Sequence, residues 1–385
     1  MPAYRHPIAS KLPNVGTTIF TVMSRLAQEH NAINLSQGFP DFECAPELRA
    51  LVPKYFNAGL NQYPPMAGVT ALREIIAEKF AALYGTAYDP ENEVTVVPGA
   101  TYGIFTAVSA FVRPGDEVIV FEPAYDSYVP AIEVNGGKPV FVRLQYPDYS
   151  IDWQAVARAI TPKTRMLIIN TPNNPTASIF SAEDMRSLDG LLRNTDIVVI
   201  SDEVYEHLIY DGGRHESVSR LPGLAERSFV ISSFGKTYSV TGWKMGYVLA
   251  PKELMAEFRK VHQFNVFVAN GPLQHVLAEH MKNRDAYLSL NAFYQKKRDF
   301  FLSQLAGSRF SPLPSRGTFF QNLSYAAITD EKDSDLAVRL TKEKGVASIP
   351  LSVFYHDAHC DRVLRFCFAK SEDTLARGAA ILRAL

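Results

Sequence analysis

Residues 228–247 read SFVISSFGKTYSVTGWKMGY, an apolar run that turns polar around Gly235-Lys236-Thr237. These three residues resemble the end of a nucleotide P-loop, G-x-x-x-x-G-K-(S/T), which lies between a strand and a helix. With Gly235 as the second glycine, the first position falls on Val230, inside the apolar run. The G-x-G-x-x-G dinucleotide fingerprint is also absent from the chain. The stretch therefore predicts a strand whose carboxyl end presents Lys236 for other chemistry.

Four further apolar runs precede this one, at 117–123, 139–144, 165–170 and 196–202. They are nearly continuous, as is typical of strands covered on both faces, and helical patterns lie between several of them, for example at 101–112 and 182–193. The chain therefore predicts an α/β domain on a mostly parallel sheet over 46–284. The ends (1–45 and 285–385) contain helical patterns at 20–29, 286–305 and 334–344, strands at 318–323 and 363–369, and a last helix. We expect them to form one smaller α+β domain.

Composition restricts the class of protein. The 385 residues are 47% hydrophobic and 21% charged, and the formal net charge is −1, so neither nucleic acid nor an anionic membrane is favoured as a partner. The N-terminal residues contain no apolar signal core. The three scattered cysteines (Cys44, Cys360 and Cys367) fit a reducing compartment, and we expect a cytoplasmic protein. His356 and His359 lack helical i, i+4 spacing, so we expect no metal.

Polar residues follow three of the predicted strands. Asn174 lies in the turn after the strand at 165–170, Asp202 and Tyr205 follow the next strand, and Ser233 and Lys236 end the opening stretch. Each has an ordinary explanation alone: a turn, a helix cap or a solvated lysine. Together they lie where open α/β sheets bind ligands. A buried carboxylate needs a cation, and a lysine in an apolar cleft becomes nucleophilic, which is the arrangement known for pyridoxal phosphate.

Six motifs extend this pattern along the chain: QGFPDF (37–42), NQYPPMAGVTALREI (61–75), NTPNNPT (170–176), SDEVYEHLIY (201–210), SSFGKTYSVTGWKMGY (232–247) and RFCFAK (365–370). Over nearly its full length the sequence resembles the fold-type I pyridoxal phosphate (PLP)-dependent aminotransferases of class I/II, and within them the methionine and kynurenine aminotransferase branch. The resemblance implies a large domain with a mostly parallel seven-stranded sheet sandwiched by helices, beside the smaller α+β domain.

The resemblance also implies roles for the reactive residues. Lys236 would form the Schiff base with PLP and then act as general base and acid in the 1,3-proton shift. Asp202 would pair with the pyridinium nitrogen and keep it protonated. Asn174 and Tyr205 would hydrogen-bond the ring 3-oxygen, and Tyr125 would stack on the ring.

The phosphate of PLP would be held by Ala100 and Thr101 at a helix N-terminus, where free N–H groups suit an anion, and by Ser233 and Lys244. Many relatives have arginine where Lys244 stands; lysine keeps the charge but loses the bidentate fork. Tyr63 would reach the phosphate of the other subunit. The resemblance therefore implies a homodimer with shared active sites.

Arg365 lies in an apolar strand pattern, where a buried guanidinium needs a partner. An internal salt bridge is one explanation; the resemblance instead implies a clamp on the substrate α-carboxylate, assisted by Asn174 and the backbone of Gly38. The side-chain pocket would contain Phe20, Tyr63 and Tyr125, with Phe267 from the partner chain.

Such an apolar, aromatic pocket favours methionine first, then aromatic amino acids, leucine or kynurenine, over aspartate, with weak discrimination among them. The reaction would be a ping-pong transfer of the amino group to a 2-oxo acid. Two rivals remain: a carbon–sulfur β-lyase acting on cysteine conjugates at the same PLP site, and a ligand-sensing regulator of aminotransferase type. The second needs a DNA-binding domain ahead of QGFP, and we expect none because QGFP already begins at position 37.

Overall fold

The computed structural model describes Pro2 and residues 4–385; Met1 and Ala3, at the start of the predicted small domain, lie outside the described residues. The described chain forms thirteen strands and fifteen α-helices. The strands are β1 (Ile33–Asn34), β2 (Val94–Val97), β3 (Glu117–Glu122), β4 (Lys138–Arg143), β5 (Thr164–Asn170), β6 (Val198–Asp202), β7 (Ser228–Ser233), β8 (Gly246–Leu249), β9 (Ser311–Pro312), β10 (Phe320–Ser324), β11 (Val346–Ala347), β12 (Ile349–Pro350) and β13 (Val363–Cys367). The helices are α1 (Ile19–Glu29), α2 (Pro46–Phe56), α3 (Thr70–Tyr84), α4 (Ala100–Phe111), α5 (Tyr128–Val134), α6 (Trp153–Ala159), α7 (Ala182–Leu192), α8 (Pro222–Ala225), α9 (Phe234–Thr237), α10 (Lys252–Asn265), α11 (Gly271–His280), α12 (Asp285–Leu288), α13 (Leu290–Gln304), α14 (Asp333–Arg339) and α15 (Glu372–Arg383).

A seven-stranded sheet forms the centre, in the order β2-β8-β7-β6-β5-β3-β4. Six strands point in one direction, and β8 runs antiparallel to its neighbours β2 and β7. Strands buried on both faces are apolar at successive positions. In β6, Val198 and Ile200 pack in the core on one face and Val199 packs in the core on the other. This explains why the strand sequences show apolar runs rather than alternation.

The chain ends form two smaller sheets. Strands β12, β13, β10 and β9 make a four-stranded antiparallel sheet, and β1 pairs with β11 in parallel. The pairing of Ile33 with Val346 joins the N-terminal and C-terminal parts of the chain. The division into 46–284 and the two ends stays a prediction. In the described part of the chain, no helix has the length and apolar character that crossing a bilayer requires.

Local differences from the sequence prediction have local causes. The helix predicted at 286–305 is interrupted, because α12 ends at Leu288 and α13 begins at Leu290. Between them, Ser289 Oγ donates to the Asp285 carbonyl over 2.7 Å, a bond that competes with regular helix geometry. The helix predicted at 334–344 is α14 followed by a π-helical turn over Leu340–Lys344. The short strands β2 and β8 were missed, since four residues carry little periodicity.

Candidate functional site

A cavity of about 150 Å³ lies at the carboxyl ends of β5, β6 and β7. Its lining includes Asn170, Asp202 and Ser233, which are the last residues of these three strands. Because the strands are parallel neighbours, their carboxyl ends meet at one edge of the sheet, where open α/β folds bind ligands. The polar residues predicted from separate motifs therefore share one crevice.

One end of the cavity is built to receive an anion. Ala100 and Thr101 begin α4 and line the cavity with Ser233 and Lys244. The first N–H groups of a helix have no partner within it, and they carry the positive end of the helix dipole. Gly99, whose φ is +91°, directly precedes α4. A Cβ added there would lie 3.5 Å from Lys244 Nζ, so the Lys244 ammonium lies close to the N-terminus of α4. The four residues predicted to hold a phosphate are together.

Lys236 lies in α9, the single helical turn that follows β7. Burial lowers the pKa of its amine to about 8, and the neighbouring charges of Arg365 and Lys244 act in the same direction. Its Nζ donates to the Gly38 carbonyl over 2.9 Å. A neutral amine is nucleophilic, so this environment prepares Lys236 to attack a carbonyl near neutral pH.

Asp202 ends β6 and is 3% exposed. Burial raises the pKa of its carboxyl to about 6, although the Tyr128 hydroxyl donates to Oδ2 over 2.7 Å and the Val204 N–H donates to Oδ1 over 3.3 Å. A carboxylate in such surroundings is stabilised further by a cationic ring nitrogen. Tyr128 was missed by the sequence analysis, although it lies three residues after Tyr125 in the same EPAYDSY stretch.

Tyr125, Asn174 and Tyr205 complete the wall of the cavity. Burial raises the pKa of Tyr125 to about 12, so its hydroxyl stays neutral. The Tyr205 ring is 2% exposed, and its centroid lies 5.1 Å from that of Phe319. The Asn170 side chain accepts from the Asn174 N–H over 2.8 Å and thereby fixes the turn after β5. An aromatic face, an amide and a phenol thus surround the space beside Lys236 and Asp202.

Arg365 stands in the middle of β13 and is 1% exposed. Its two terminal nitrogens donate to neutral oxygens, Asn174 Oδ1 and the Ser36 carbonyl. Its buried Nε has no hydrogen-bond partner among the described residues. The guanidinium carbon lies 3.9 Å from the Phe320 ring centroid and 5.4 Å from that of Phe20. A buried guanidinium with neutral partners and one open donor is suited to bind a carboxylate.

Arg365 and the remaining predicted residues lie outside the cavity lining. Gly38 reaches the site through its carbonyl contact with Lys236, and Phe20 through its contact with Arg365. Tyr63 is 82% exposed and Phe267 is 39% exposed, and their ring centroids are 5.5 Å apart. The structure of one chain does not bring this pair to the cavity; the contribution of a second subunit stays a prediction.

The turn that follows β6 is anchored by a buried ion pair that the sequence analysis also missed. Glu206 accepts from Lys79 Nζ over 2.6 Å. Three hydroxyl groups complete its coordination, those of Tyr84 at 2.5 Å, Ser232 at 2.7 Å and Tyr247 at 2.9 Å. Because Asp202 and Tyr205 belong to the same short segment, this ion pair fixes the elements that carry them.

The histidines considered as metal ligands point to different partners. His356 Nδ1 lies 2.9 Å from Glu122, and His359 Nε2 lies 2.9 Å from Asp361. Glu122, His356 and Asp357 are close enough together to hold an ion. The Arg143 guanidinium already contacts both carboxylates, at 3.5 and 2.8 Å, and supplies the positive charge there.

The chain is similar to known proteins in both sequence and structure. The family model "Aminotransferase class I and II" matches residues 30–382. A methionine aminotransferase of Escherichia coli is 48% identical over 98% of both chains. Kynurenine–oxoglutarate transaminase 1 of Homo sapiens is 34% identical over 95% of both chains. A solved structure from Escherichia coli, described as having a methionine aminotransferase function, superimposes with a TM-score of 0.97 over 99% of this chain and 100% of the other, at 47% identity.

Proposed function

Because this chain belongs to the family of class I and II aminotransferases, and so is a transaminase, we propose that it binds PLP and takes the amino group from apolar or aromatic L-amino acids, methionine foremost. The observation that carries the proposal is that Lys236 and Asp202 line one crevice, and that Arg365 lies directly behind it, in contact with Asn174 of the crevice wall. Lys236 provides an amine with a lowered pKa, Asp202 a buried carboxylate, and Arg365 a guanidinium with an open donor.

The residues present fit PLP at both of its ends. The start of α4, with Lys244 and Ser233, offers donors and positive charge to a phosphate. At the opposite end, the buried Asp202 carboxylate suits a protonated ring nitrogen. When bound, PLP supplies an electron sink for the electrons of the substrate Cα–H bond. The chain's own residues then supply binding, orientation and proton transfer.

In this proposal Arg365 binds the substrate α-carboxylate, and the Asn174 side chain and Gly38 backbone assist. Such a clamp places the substrate Cα beside Lys236 Nζ, which takes the α-proton and later returns it. Asp202 stays ionised, aided by the Tyr128 hydroxyl at 2.7 Å. Since the amino acid and the 2-oxo acid both carry this carboxylate, the two substrates use the same site in turn.

The preference for methionine rests on the rings around Arg365 and on similarity. Phe20, Phe320 and Phe354 lie within 5.4 Å of the guanidinium carbon, measured to their ring centroids. A substrate held at Arg365 therefore extends its side chain along aromatic surface, where thioethers and aromatic rings both pack favourably. The 48% identity to a methionine aminotransferase supports the same choice.

A homodimer with shared active sites is part of the proposal. Tyr63 and Phe267 form an exposed aromatic pair, and Phe264 is 87% exposed nearby in the chain. Exposed aromatic clusters of this kind are typical of protein interfaces. Sedimentation of the purified protein should give the mass of two chains; a monomer with full activity would contradict the shared site. A cytoplasmic location stays a prediction.

A screen of single half-reactions tests the function. The PLP-loaded protein is mixed with each amino acid without an acceptor, and the absorbance of the bound cofactor is followed. We expect methionine to react fastest, aromatic amino acids next and aspartate slowest. Lys236→Ala should abolish multiple turnover, whereas Lys260→Ala, on an exposed ion pair of α10, should not. Release of pyruvate and ammonia from a cysteine conjugate, with no methionine transamination, would instead identify a β-lyase.

A further inference from the structure

Lys370 ends the RFCFAK motif and has no role in the proposed reaction, yet it is 3% exposed. Lysine is rarely buried to this extent unless its ammonium has a partner. Its Nζ donates to the Phe39 carbonyl over 2.7 Å and lies 5.0 Å from the Phe39 ring centroid. The ammonium is thus directed at the backbone of one short segment, Ser36–Asp41.

The Ser36–Asp41 segment is held along its length by β13 and the start of α15. Beside the Lys370 contact, Arg365 donates to the Ser36 carbonyl over 3.2 Å. At the other end, the Asp41 carboxylate accepts from the Ser371 N–H and from Thr374 Oγ1, each over 2.7 Å. Lys370 holds the middle of the segment, one residue from Gly38.

The opposite side of the segment faces the candidate active site. The Gly38 carbonyl accepts from Lys236, and a Cβ added at Gly38 would lie 2.9 Å from Phe320 Cζ. Arg365 also packs on the Phe320 ring, with its guanidinium carbon 3.9 Å from the ring centroid. Gly38 and Arg365, the two groups assigned to the substrate carboxylate, therefore contact the same ring.

An open groove lies against the Ser36–Asp41 segment. A groove of about 330 Å³ is bordered by Gln37, Phe39 and Asp41 of the segment and by Lys370 and Arg377. Packing alone therefore does not fix the backbone on that side. A charge-assisted hydrogen bond to a carbonyl is stronger than a neutral one, and here it fixes the backbone beside Gly38.

We propose that Lys370 is a positioning residue that sets the place of the Gly38 backbone relative to Arg365 and thereby the affinity for the α-carboxylate of both substrates. This proposal rests on the proposed function, in which Gly38 and Arg365 bind that carboxylate. Lys370 acts through the Phe39 carbonyl and touches neither substrate nor cofactor. Its loss weakens binding in the ground state and leaves the proton transfer by Lys236 intact.

The test compares Lys370→Met with Lys260→Met in the PLP-loaded enzyme. Methionine keeps most of the length and the apolar character of the Lys370 stem and removes the donor; Lys260 is an exposed lysine on α10. Three quantities are measured: KM and kcat for methionine, and the Kd of 3-phenylpropanoate, a carboxylate without an amine, from the absorbance of the bound cofactor. For Lys370→Met we expect KM and Kd to rise about tenfold and kcat to stay within about twofold. Lys260→Met should match the wild type.

A second variant tests the same segment in case Lys370→Met fails to fold. Thr374→Val removes one of the two donors to Asp41, and we expect KM and Kd to rise about threefold with kcat unchanged. Unchanged KM and Kd in a folded Lys370→Met or Thr374→Val variant would overturn the proposal, as would a loss confined to kcat. Failure of Arg365→Lys to weaken 3-phenylpropanoate would refute the carboxylate site itself, which distinguishes the two failures.

Discussion

Lys79→Met tests the buried ion pair that anchors the turn carrying Asp202 and Tyr205. Glu206 is 3% exposed, and its carboxylate lies 2.6 Å from Lys79 Nζ. Burial alone would raise the pKa of Glu206, but the charge and hydrogen bond of Lys79 keep it well below its usual value. The substitution leaves this carboxylate buried without its cation, which costs about 3–5 kcal/mol of unfolding free energy.

The assay is urea denaturation of the cofactor-free protein, followed by circular dichroism. Lys79→Met should lower the unfolding free energy most at neutral pH. The loss should shrink as the pH falls below neutral, because the buried Glu206 of the folded variant, without its cation, takes up a proton at a higher pH than the same group in the folded parent. The double variant Lys79→Met/Glu206→Gln has no buried charge and should recover most of the loss. A loss below about 1 kcal/mol, or a double variant whose loss equals the sum of the two single losses, would refute the reasoning.

Four further predictions concern the site. Arg365→Lys should lower kcat/KM for methionine about hundredfold, because an ammonium lacks the bidentate fork; unchanged initial rates would contradict the clamp. Asp202→Asn should lower kcat at least about hundredfold in the same assay, and a smaller loss would exclude an electrostatic role. Since the pKa of Lys236 is lowered to about 8, PLP uptake by the cofactor-free protein, measured by stopped-flow absorbance, should accelerate with pH around a midpoint of about 8; a midpoint near 10.5 would contradict this. Gly38→Ala should raise KM severalfold, because its Cβ would meet Phe320 Cζ at 2.9 Å; an unchanged KM would show that the backbone there is free to shift.

Much of the site could be predicted from the sequence because its residues follow strand ends. Apolar runs locate the strands, and parallel neighbours bring their carboxyl ends together, so Asn174, Asp202 and Lys236 were expected in one crevice. The structure places all three there. The family resemblance is confirmed by the match over residues 30–382, and so is the predicted fold class.

Contacts between residues distant in sequence could not be predicted. Lys79 and Glu206 are 127 positions apart in the sequence. Taken separately, each is interpreted as an ordinary charged residue on a helix or in a turn. Tyr128 lies 74 positions before Asp202, and only the folded sheet brings its hydroxyl to that carboxylate. Lys370 belonged to a recognised motif, but its direction toward Phe39 depends on how β13 packs against the N-terminal segment.

The central claim is that Lys236 is the amine that reacts. The most direct measurement is to load the protein with PLP, reduce it with borohydride, digest it and locate the added mass by mass spectrometry. We expect one pyridoxyl-modified residue per chain, at Lys236, and no modification after Lys236→Ala. Modification at Lys244, or at any other lysine with Lys236 unmodified, would contradict it.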